Sequence, residues 1–110
     1  MSRADIAIPR AAELFSALGD RTRLAMLEQL GGGVARPIAA LSAGRDLTRQ
    51  AVTKHLCVLE RAGLVRSQRS GREKLFSAAP EAVAEAQTYL MRVAAEWEDA
   101  LDRLKIFVEE

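Results

Sequence analysis

A helix with clear signals at both ends constrains the fold more than any other feature of the chain. It lies within residues 47–65, LTRQAVTKHLCVLERAGLV. Thr48 suits the N-cap because its hydroxyl can accept from an amide of the first turn, and Gly63 suits the left-handed residue that ends a helix. These signals predict a helix from Arg49 to about Ala62. Beyond Gly63 the side chains alternate in polarity, which predicts a strand.

The polar side of this helix has an unusual composition for a solvated face. At about 100° per residue, one side is an apolar core face that includes Val52, Leu56 and Leu59. An ordinary solvated face favours Glu and Lys pairs over Gln and Thr, and it remains the alternative interpretation of the other side. That other side is a contiguous outward stripe of Gln50, Thr53, Lys54, Cys57 and Arg61.

Apolar periodicity and breakers predict three helices before this one. The first spans about residues 10–18 and ends at Gly19, and the second begins after Asp20 as N-cap and stops at the triple glycine 31–33. Pro37 suits the first turn of a short third helix. The second helix has one predicted apolar face: Leu24, Leu27 and Leu30.

A small hairpin and a long helix follow. The hairpin has its predicted turn at Ser70-Gly71 and its second strand over residues 73–78, and Pro80 starts the last helix. That helix carries an apolar seam to Val108 and is about 40 Å long at 1.5 Å per residue, more than the core of so short a chain can cover. Burial against a second copy is the prediction, and a helix that lies on its own domain and frays is the alternative. The predicted dimerisation residues are Leu14, Phe15, Leu90, Val93, Trp97, Leu101 and Leu104.

Length and composition set further limits. With 110 residues, 49% hydrophobic and 28% charged, the chain fits one globular domain. A single cysteine excludes an intrachain disulfide and a Cys-rich zinc module. Residues 1–15 show no signal or transit peptide, and no long apolar run predicts a membrane span, so a cytoplasmic location is expected. One His, one Cys and no phosphate loop leave no assembled catalytic site, so an enzyme is not expected.

Charge is segregated along the chain. Residues 1–44 hold five basic and four acidic side chains, residues 45–74 hold eight and three, and residues 75–110 hold three and eight. The basic middle segment therefore carries +5 and the last segment carries −5. This separation favours a middle that binds a polyanion, with chance unevenness on solvated faces as the alternative.

The order of elements is that of a winged helix-turn-helix, mainly α with a small β-hairpin. We expect a single domain over 1–110, with the helix-turn-helix at about 37–62, the wing at about 63–78 and a C-terminal dimerisation helix at about 81–108. In this arrangement the helix after the turn enters the DNA major groove while the wing approaches the backbone or minor groove. The predicted partner is double-stranded DNA, and the predicted contacts are Thr48, Arg49, Gln50, Thr53, Lys54, His55, Arg69, Arg72 and Lys74.

Each of these residue types suggests a role. Gln50 suits bidentate contact with adenine, whereas Thr53 can donate to a base or phosphate while its methyl meets thymine. His55 falls on the apolar side of the wheel, so we expect a partly buried imidazole that bonds to backbone or a phosphate. Cys57 lies within the outward stripe. A disulfide between two copies is excluded because their reading helices lie about 34 Å apart, which leaves sulfenylation or a mixed disulfide as the redox alternative.

Three segments resemble the ArsR/SmtB family of bacterial winged-helix repressors. They are residues 14–30, LFSALGDRTRLAMLEQL, residues 47–65 quoted above, and residues 66–77, RSQRSGREKLFS. The first matches the family's Asp-x-Thr-Arg at Asp20, Thr22 and Arg23. The second approximates its Ser/Thr-x-x-His-Leu-x-x-Leu-x-x-Ala-Gly-Leu-Val pattern. The resemblance implies a homodimeric repressor that binds an inverted-repeat operator and is released by an effector.

The residues depart from the family's metal-sensing members. Those members carry a Cys-x-Cys pair on the helix before the turn, or Asp, His and Glu ligands on the last helix. Residues 37–41 read PIAAL here, and the last helix has no histidine. Borderline metals need thiolate or imidazole donors, so we expect no cofactor and no metal site of the usual kind, and the effector remains unidentified. The rival to a DNA-binding repressor is a winged-helix protein-interaction module that binds an acidic partner, because the charge separation fits both.

Overall fold

The computed structural model describes residues 7–109. Residues 1–6, part of the segment without a signal-peptide pattern, and residue 110 lie outside the described residues, as do the predicted domain limits at 1 and 110. The prediction of a mainly helical fold with a small antiparallel sheet is confirmed. The elements are α1 (Ile8–Leu18), α2 (Arg21–Gln29), β1 (Arg36–Pro37), α3 (Ile38–Ser42), α4 (Arg49–Arg61), β2 (Val65–Ser70), β3 (Glu73–Ala78) and α5 (Pro80–Glu109).

The sheet has three antiparallel strands in the order β1-β3-β2, one more than the predicted hairpin. The additional strand has two residues, with Arg36 opposite Phe76 and Pro37 opposite Leu75. The prediction that Pro37 lies in the first turn of α3 is wrong. Pro37 has extended backbone, φ −75° and ψ 163°, and is the N-cap of α3. A proline has no N–H to donate to a ladder, so it is tolerated on an edge strand such as β1.

The hairpin formed by β2, β3 and their turn is called the wing below. Ser70 lies opposite Glu73, so the turn residues are Gly71 and Arg72, and the predicted turn at Ser70-Gly71 is wrong by one residue. Gly71 has φ +64°, and no non-glycine residue within 7–109 has positive φ. A two-residue loop with glycine at its first position is the type II′ turn, whose twist matches that of the flanking strands. Arg72 is thereby placed at the tip of the wing.

The two ends of α4 lie where the sequence predicts them. The Thr48 hydroxyl accepts a hydrogen bond from the Ala51 N–H at 3.0 Å, which satisfies one of the free donors of the first turn. At the other end Gly63 has φ +80°, a conformation that residues with a Cβ rarely adopt. Both signals are local in sequence, so the ends of α4 can be predicted without knowledge of its tertiary contacts.

The core is built around α4. Val52 and Leu59 are completely buried and Leu56 is 1% exposed, so the predicted core face is confirmed. Burying aliphatic side chains of this size stabilises the fold by roughly 1.5–3 kcal/mol each. They pack against buried residues from the other elements: Leu14, Met26, Leu30, Leu41, Leu64, Val65 and Phe76.

The predicted apolar face of α2 is partly wrong. Leu30 is buried as expected, but Leu24 is 50% exposed, whereas Met26, four residues before Leu30, is completely buried. Residues four apart share a helix face, so the face that meets the core is that of Met26 and Leu30. Leu24 instead lines an open groove between α2 and α5, beside Val83.

The last helix extends beyond the rest of the molecule. Its first turns pack through Ala82 and Ala86, which are buried, and the rings of Phe15 and Tyr89 lie 5.7 Å apart between α1 and α5. From Ala94 to Glu109 every residue is exposed. The expectation that α5 is too long for the core to cover is confirmed. Its exposed seam includes Leu90 (53%), Trp97 (66%), Leu101 (58%) and Leu104 (57%).

One residue of the predicted dimer surface lies elsewhere. Leu14 is completely buried within its own chain, because it faces the core from α1. It therefore offers no surface to a second copy, and its assignment as a dimer contact is wrong. No helix within residues 7–109 combines the length and hydrophobicity needed to cross a membrane.

Candidate nucleic-acid interface

The outward stripe of α4 lies on the surface as the helical wheel predicts. Gln50, Thr53, Lys54, Cys57 and Arg61 are all exposed, opposite the buried core face. Four residues border one open groove on this surface: Arg49, Gln50, Thr53 and Lys54.

The Thr53 side chain has less hydrogen-bonding freedom than the sequence suggests. Its hydroxyl donates to the Arg49 carbonyl oxygen at 2.8 Å, one turn earlier in the same helix. The proton that was expected to reach a base or phosphate is therefore already used. Thr53 can still contact a thymine methyl through its own methyl group and accept a hydrogen bond through the lone pairs of its oxygen.

A cleft of about 400 Å³ separates α4 from the wing. Two predicted DNA contacts from α4, Arg49 and Thr53, face two from the wing, Arg72 and Lys74, across it. The structure thus brings together side chains that are 19 to 25 positions apart in the sequence. Arg69 does not line this cleft. It is exposed on β2 directly opposite Lys74, so the wing carries paired positive charges on neighbouring strands.

Other charged side chains around the wing form contacts within the chain that hold the wing in place. Glu60 lines the same cleft and accepts a hydrogen bond from the Ser67 hydroxyl at 2.6 Å, which holds β2 against α4. Glu73 adds a second carboxylate to the cleft. Arg66 forms an ion pair with Glu81 at the start of α5, so this basic residue serves the packing of the wing. The positive surface of the wing is accordingly concentrated at its tip.

His55 does not contact backbone within its own chain as expected. The ring is 23% exposed, and its Nδ1 lies 3.2 Å from an Arg23 guanidinium nitrogen and 3.8 Å from an Asp20 carboxylate oxygen. Arginine has only donors, so the contact with Arg23 requires Nδ1 to accept and the proton of the neutral ring to sit on Nε2. The structure places His55 between α4 and the start of α2, away from the outward stripe.

Arg23 has a structural role that was not predicted from the sequence. Its Nε donates to the Ala17 carbonyl at 2.6 Å, and its Nη2 donates to the Ser16 carbonyl at 3.2 Å. These are carbonyls at the C-terminal end of α1, where a cation is favourable. Arg23 therefore joins α1, α2 and, through His55, α4. Its place in the Asp-x-Thr-Arg motif is the one feature of the sequence that marks Arg23 as a residue with a specific role.

Asp20 is held in its ionised form at this junction. Its carboxylate accepts a hydrogen bond from the Arg23 backbone N–H at 3.0 Å, and this hydrogen bond, assisted by the positive charge of the Arg23 side chain, lowers the pKa of Asp20 below its ordinary value of 3.8. A carboxylate whose pKa is lowered by folding stabilises the folded state when the pH is above the ordinary pKa of 3.8. That contribution is lost as the pH falls through the lowered pKa.

Asp20→Asn is expected to remove this pH dependence. Asparagine caps a helix about as well as aspartate, so the variant keeps the cap and loses the charge. The melting temperature of the natural protein should exceed that of the variant near pH 7, and the difference should shrink as the pH falls below 3.8. Thermal unfolding at several pH values measures it. An equal difference at every pH would contradict the assignment.

Cys57 is exposed and lines the cleft between α4 and the wing. It is the single cysteine of the sequence. Within residues 7–109 no group of three or more His, Cys, Asp or Glu side chains is arranged to hold a metal ion.

Comparison with known proteins finds helix-turn-helix proteins of similar sequence. A family model described as a helix-turn-helix domain matches residues 18–68. The chain is 40% identical over 69 residues to the uncharacterized HTH-type transcriptional regulator YuzN of Bacillus subtilis, a match that covers 57% of this chain and 75% of that relative.

Solved structures extend the match to nearly the whole chain. An ArsR-like transcriptional regulator from Rhodococcus sp. RHA1 superposes with a TM-score of 0.78 at 33% identity, over 90% of this chain and 92% of that chain. A solution structure described as the homodimeric winged helix-turn-helix DNA-binding domain of a possible ArsR-family regulator from Mycobacterium bovis gives a TM-score of 0.64 at 26% identity, over 81% of each chain. Fold, sequence and order of elements agree. The chain belongs to the ArsR family of winged helix-turn-helix transcriptional regulators.

Proposed function

We propose that this regulator is a homodimeric repressor that binds an inverted-repeat operator through α4 and the wing of each copy. The observation that carries the proposal is the cleft in which Arg49 and Thr53 of α4 face Arg72 and Lys74 of the wing. Basic side chains on both sides of a cleft beside an exposed reading helix fit a DNA strand, because phosphate contacts position the protein while side chains of the helix reach base edges. The proposed DNA contacts are Thr48, Arg49, Gln50, Thr53, Lys54, Arg69, Arg72 and Lys74.

The roles within this set differ. Gln50 is the proposed base-reading residue, since it is exposed near the start of α4 and an amide can make two hydrogen bonds to adenine. Arg49, Lys54 and the wing cations are proposed phosphate contacts. His55 is proposed to position α4 through Arg23.

The proposed dimer surface is the exposed apolar seam of α5 together with Phe15 of α1. An uncovered row of large apolar side chains is unusual on a monomer and marks an interaction surface. The homodimeric state of the Mycobacterium bovis neighbour supports a second copy as the partner. The seam residues proposed to pack against that copy are Leu90, Val93, Trp97, Leu101 and Leu104.

The repressor is proposed not to respond to metals through the family's usual sites. Residues 37–41 and α5 contain neither cysteine nor histidine, and soft or borderline metals are bound by those side chains.

The test separates this function from a protein-interaction module that uses the same positive surface for an acidic partner. Purified protein is mixed with fragments of the host genome in a gel-shift assay over a range of salt concentrations. The repressor should retard discrete fragments, with an affinity that falls by several powers of ten per tenfold rise in salt if about six to ten phosphates are neutralised. Uniform weak retardation of all fragments would favour the protein-interaction module.

A further inference from the structure

A single guanidinium joins three helices at the end of α4. Arg10 Nε of α1 donates to a Glu85 carboxylate oxygen of α5 at 2.8 Å, and Arg10 Nη1 donates to the Ala62 carbonyl oxygen at 2.8 Å. A weaker ion pair with Glu13 is 3.4 Å long. The guanidinium also lies against the left-handed turn, since a Cβ added at Gly63 would meet its Nη2 at 3.3 Å.

The Ala62 carbonyl lies at the C-terminal end of α4. The last turn of α4 leaves several carbonyls without helical partners. Those of Val58, Leu59 and Glu60 accept from the chain that follows, whereas that of Ala62 accepts from Arg10. A cation at a helix C-terminus is favourable, and charged hydrogen bonds are about twice as strong as neutral ones.

Arg10 thus connects the proposed reading helix to the proposed dimer helices. Its side chain is 31% exposed and that of Glu85 is 35% exposed, so the ion pair is partly shielded from water. On the same side of the molecule, α1 packs on both α4 and α5, and Phe15 contacts Tyr89. A fixed contact here limits the tilt of α4 relative to α1 and α5.

We propose that Arg10 is a positioning residue for DNA recognition: by fixing the C-terminal end of α4 to Glu85, it sets the separation of the two reading helices in the dimer. The inference rests on the proposed function, because only a dimer has two such helices. An inverted repeat has a fixed distance between half-sites, so a dimer with a defined helix separation selects operators by their spacing. Lysine cannot replace Arg10, because its single ammonium lacks the planar fork that contacts two acceptors at fixed angles.

The exposed Cys57 on α4 offers a direct measurement without DNA. It is the single cysteine of the chain, so a nitroxide label reports the distance between the two copies of α4 by pulsed electron paramagnetic resonance. The natural protein should give a narrow distribution near one DNA turn, about 34 Å. Arg10→Lys, Arg10→Gln and Glu85→Ala should each give a broader and shifted distribution. The matched control Glu13→Ala, which removes the longer ion pair only, should leave the distribution unchanged.

A second measurement uses operators selected by the natural protein and versions with one base pair inserted or removed between half-sites. The preference for the natural spacing should fall by about tenfold in Arg10→Gln and Glu85→Ala, an effect comparable to one charged hydrogen bond. Circular dichroism and melting curves verify that each variant is folded.

The outcomes are distinct. Identical distance distributions in all variants would overturn the role of Arg10 while leaving the repressor proposal intact. The absence of any intermolecular distance in the natural protein would remove the dimer and both proposals with it. Broadening in Arg10 and Glu85 variants, without broadening in Glu13→Ala, is the result that the inference requires.

Discussion

Replacing Gln50 with alanine is expected to abolish most of the preference for the operator over unrelated DNA. Gln50 is exposed on the outward stripe, and its amide is the proposed reader of an adenine edge. A bidentate contact contributes about 1–3 kcal/mol of discrimination, so two copies lose about 2–6 kcal/mol, or roughly 30-fold or more in affinity. Non-specific binding should change little because it depends on phosphate contacts. Fluorescence anisotropy with specific and scrambled duplexes measures both.

Two comparison variants sharpen this prediction. Thr53→Val removes a hydroxyl whose proton is already donated to the Arg49 carbonyl, so its affinity should stay within about twofold of the natural protein, as for a neutral surface change. Arg69→Ala should weaken binding to all sequences alike. The slope of the logarithm of affinity against the logarithm of salt concentration should fall in magnitude by about one for each copy. If Gln50→Ala retained the full sequence preference, α4 would not be the reading helix.

Two glutamate substitutions in the α5 seam are expected to convert the proposed dimer into a folded monomer. Trp97 is 66% exposed and Leu101 is 58% exposed within one chain, so replacing both with glutamate leaves the core intact. In a dimer these side chains would be buried, where an unpaired carboxylate costs several kcal/mol. The dimer dissociation constant should rise by at least about 100-fold, and operator affinity should fall with it because each monomer holds one half-site.

Sedimentation equilibrium of the Trp97→Glu, Leu101→Glu variant measures the mass directly, and circular dichroism verifies its helices. The matched control is Asp99→Lys, a charge reversal about 200° around the helix from Trp97, which should leave the dimer unchanged. A dimer that survived both glutamates would place the interface elsewhere.

The sequence predicted α4 well because its determinants are local. Thr48 and Gly63 mark the ends, and the apolar spacing marks the core face; all are confirmed. β1 was missed because two residues carry no periodicity, and its pairing with β3 depends on contacts about 40 positions away. The buried face of α2 was predicted partly wrongly because Leu24, Leu27 and Leu30 suggest a common apolar face. Burial depends instead on which face meets α4, and that face carries Met26.

In the candidate site, too, features set by local sequence could be predicted, whereas features set by packing could not. Exposure of the outward stripe follows from the helical period, so it could be predicted from the residues alone. The hydrogen-bonding partners of polar side chains could not. Arg10 contacts Ala62 and Glu85, 52 and 75 positions away, and His55 contacts Arg23, 32 positions away. Such contacts depend on how the helices pack, and no periodicity in the chain encodes them.

Sequencing the DNA that the purified protein selects from a random library shows whether the protein reads an operator as a dimer through α4. A dimer that reads DNA through α4 should enrich an inverted repeat whose half-site centres lie about 10 base pairs apart, bound by two chains per duplex. Enrichment of no motif, or of a single unrepeated site bound by one chain, would contradict the account.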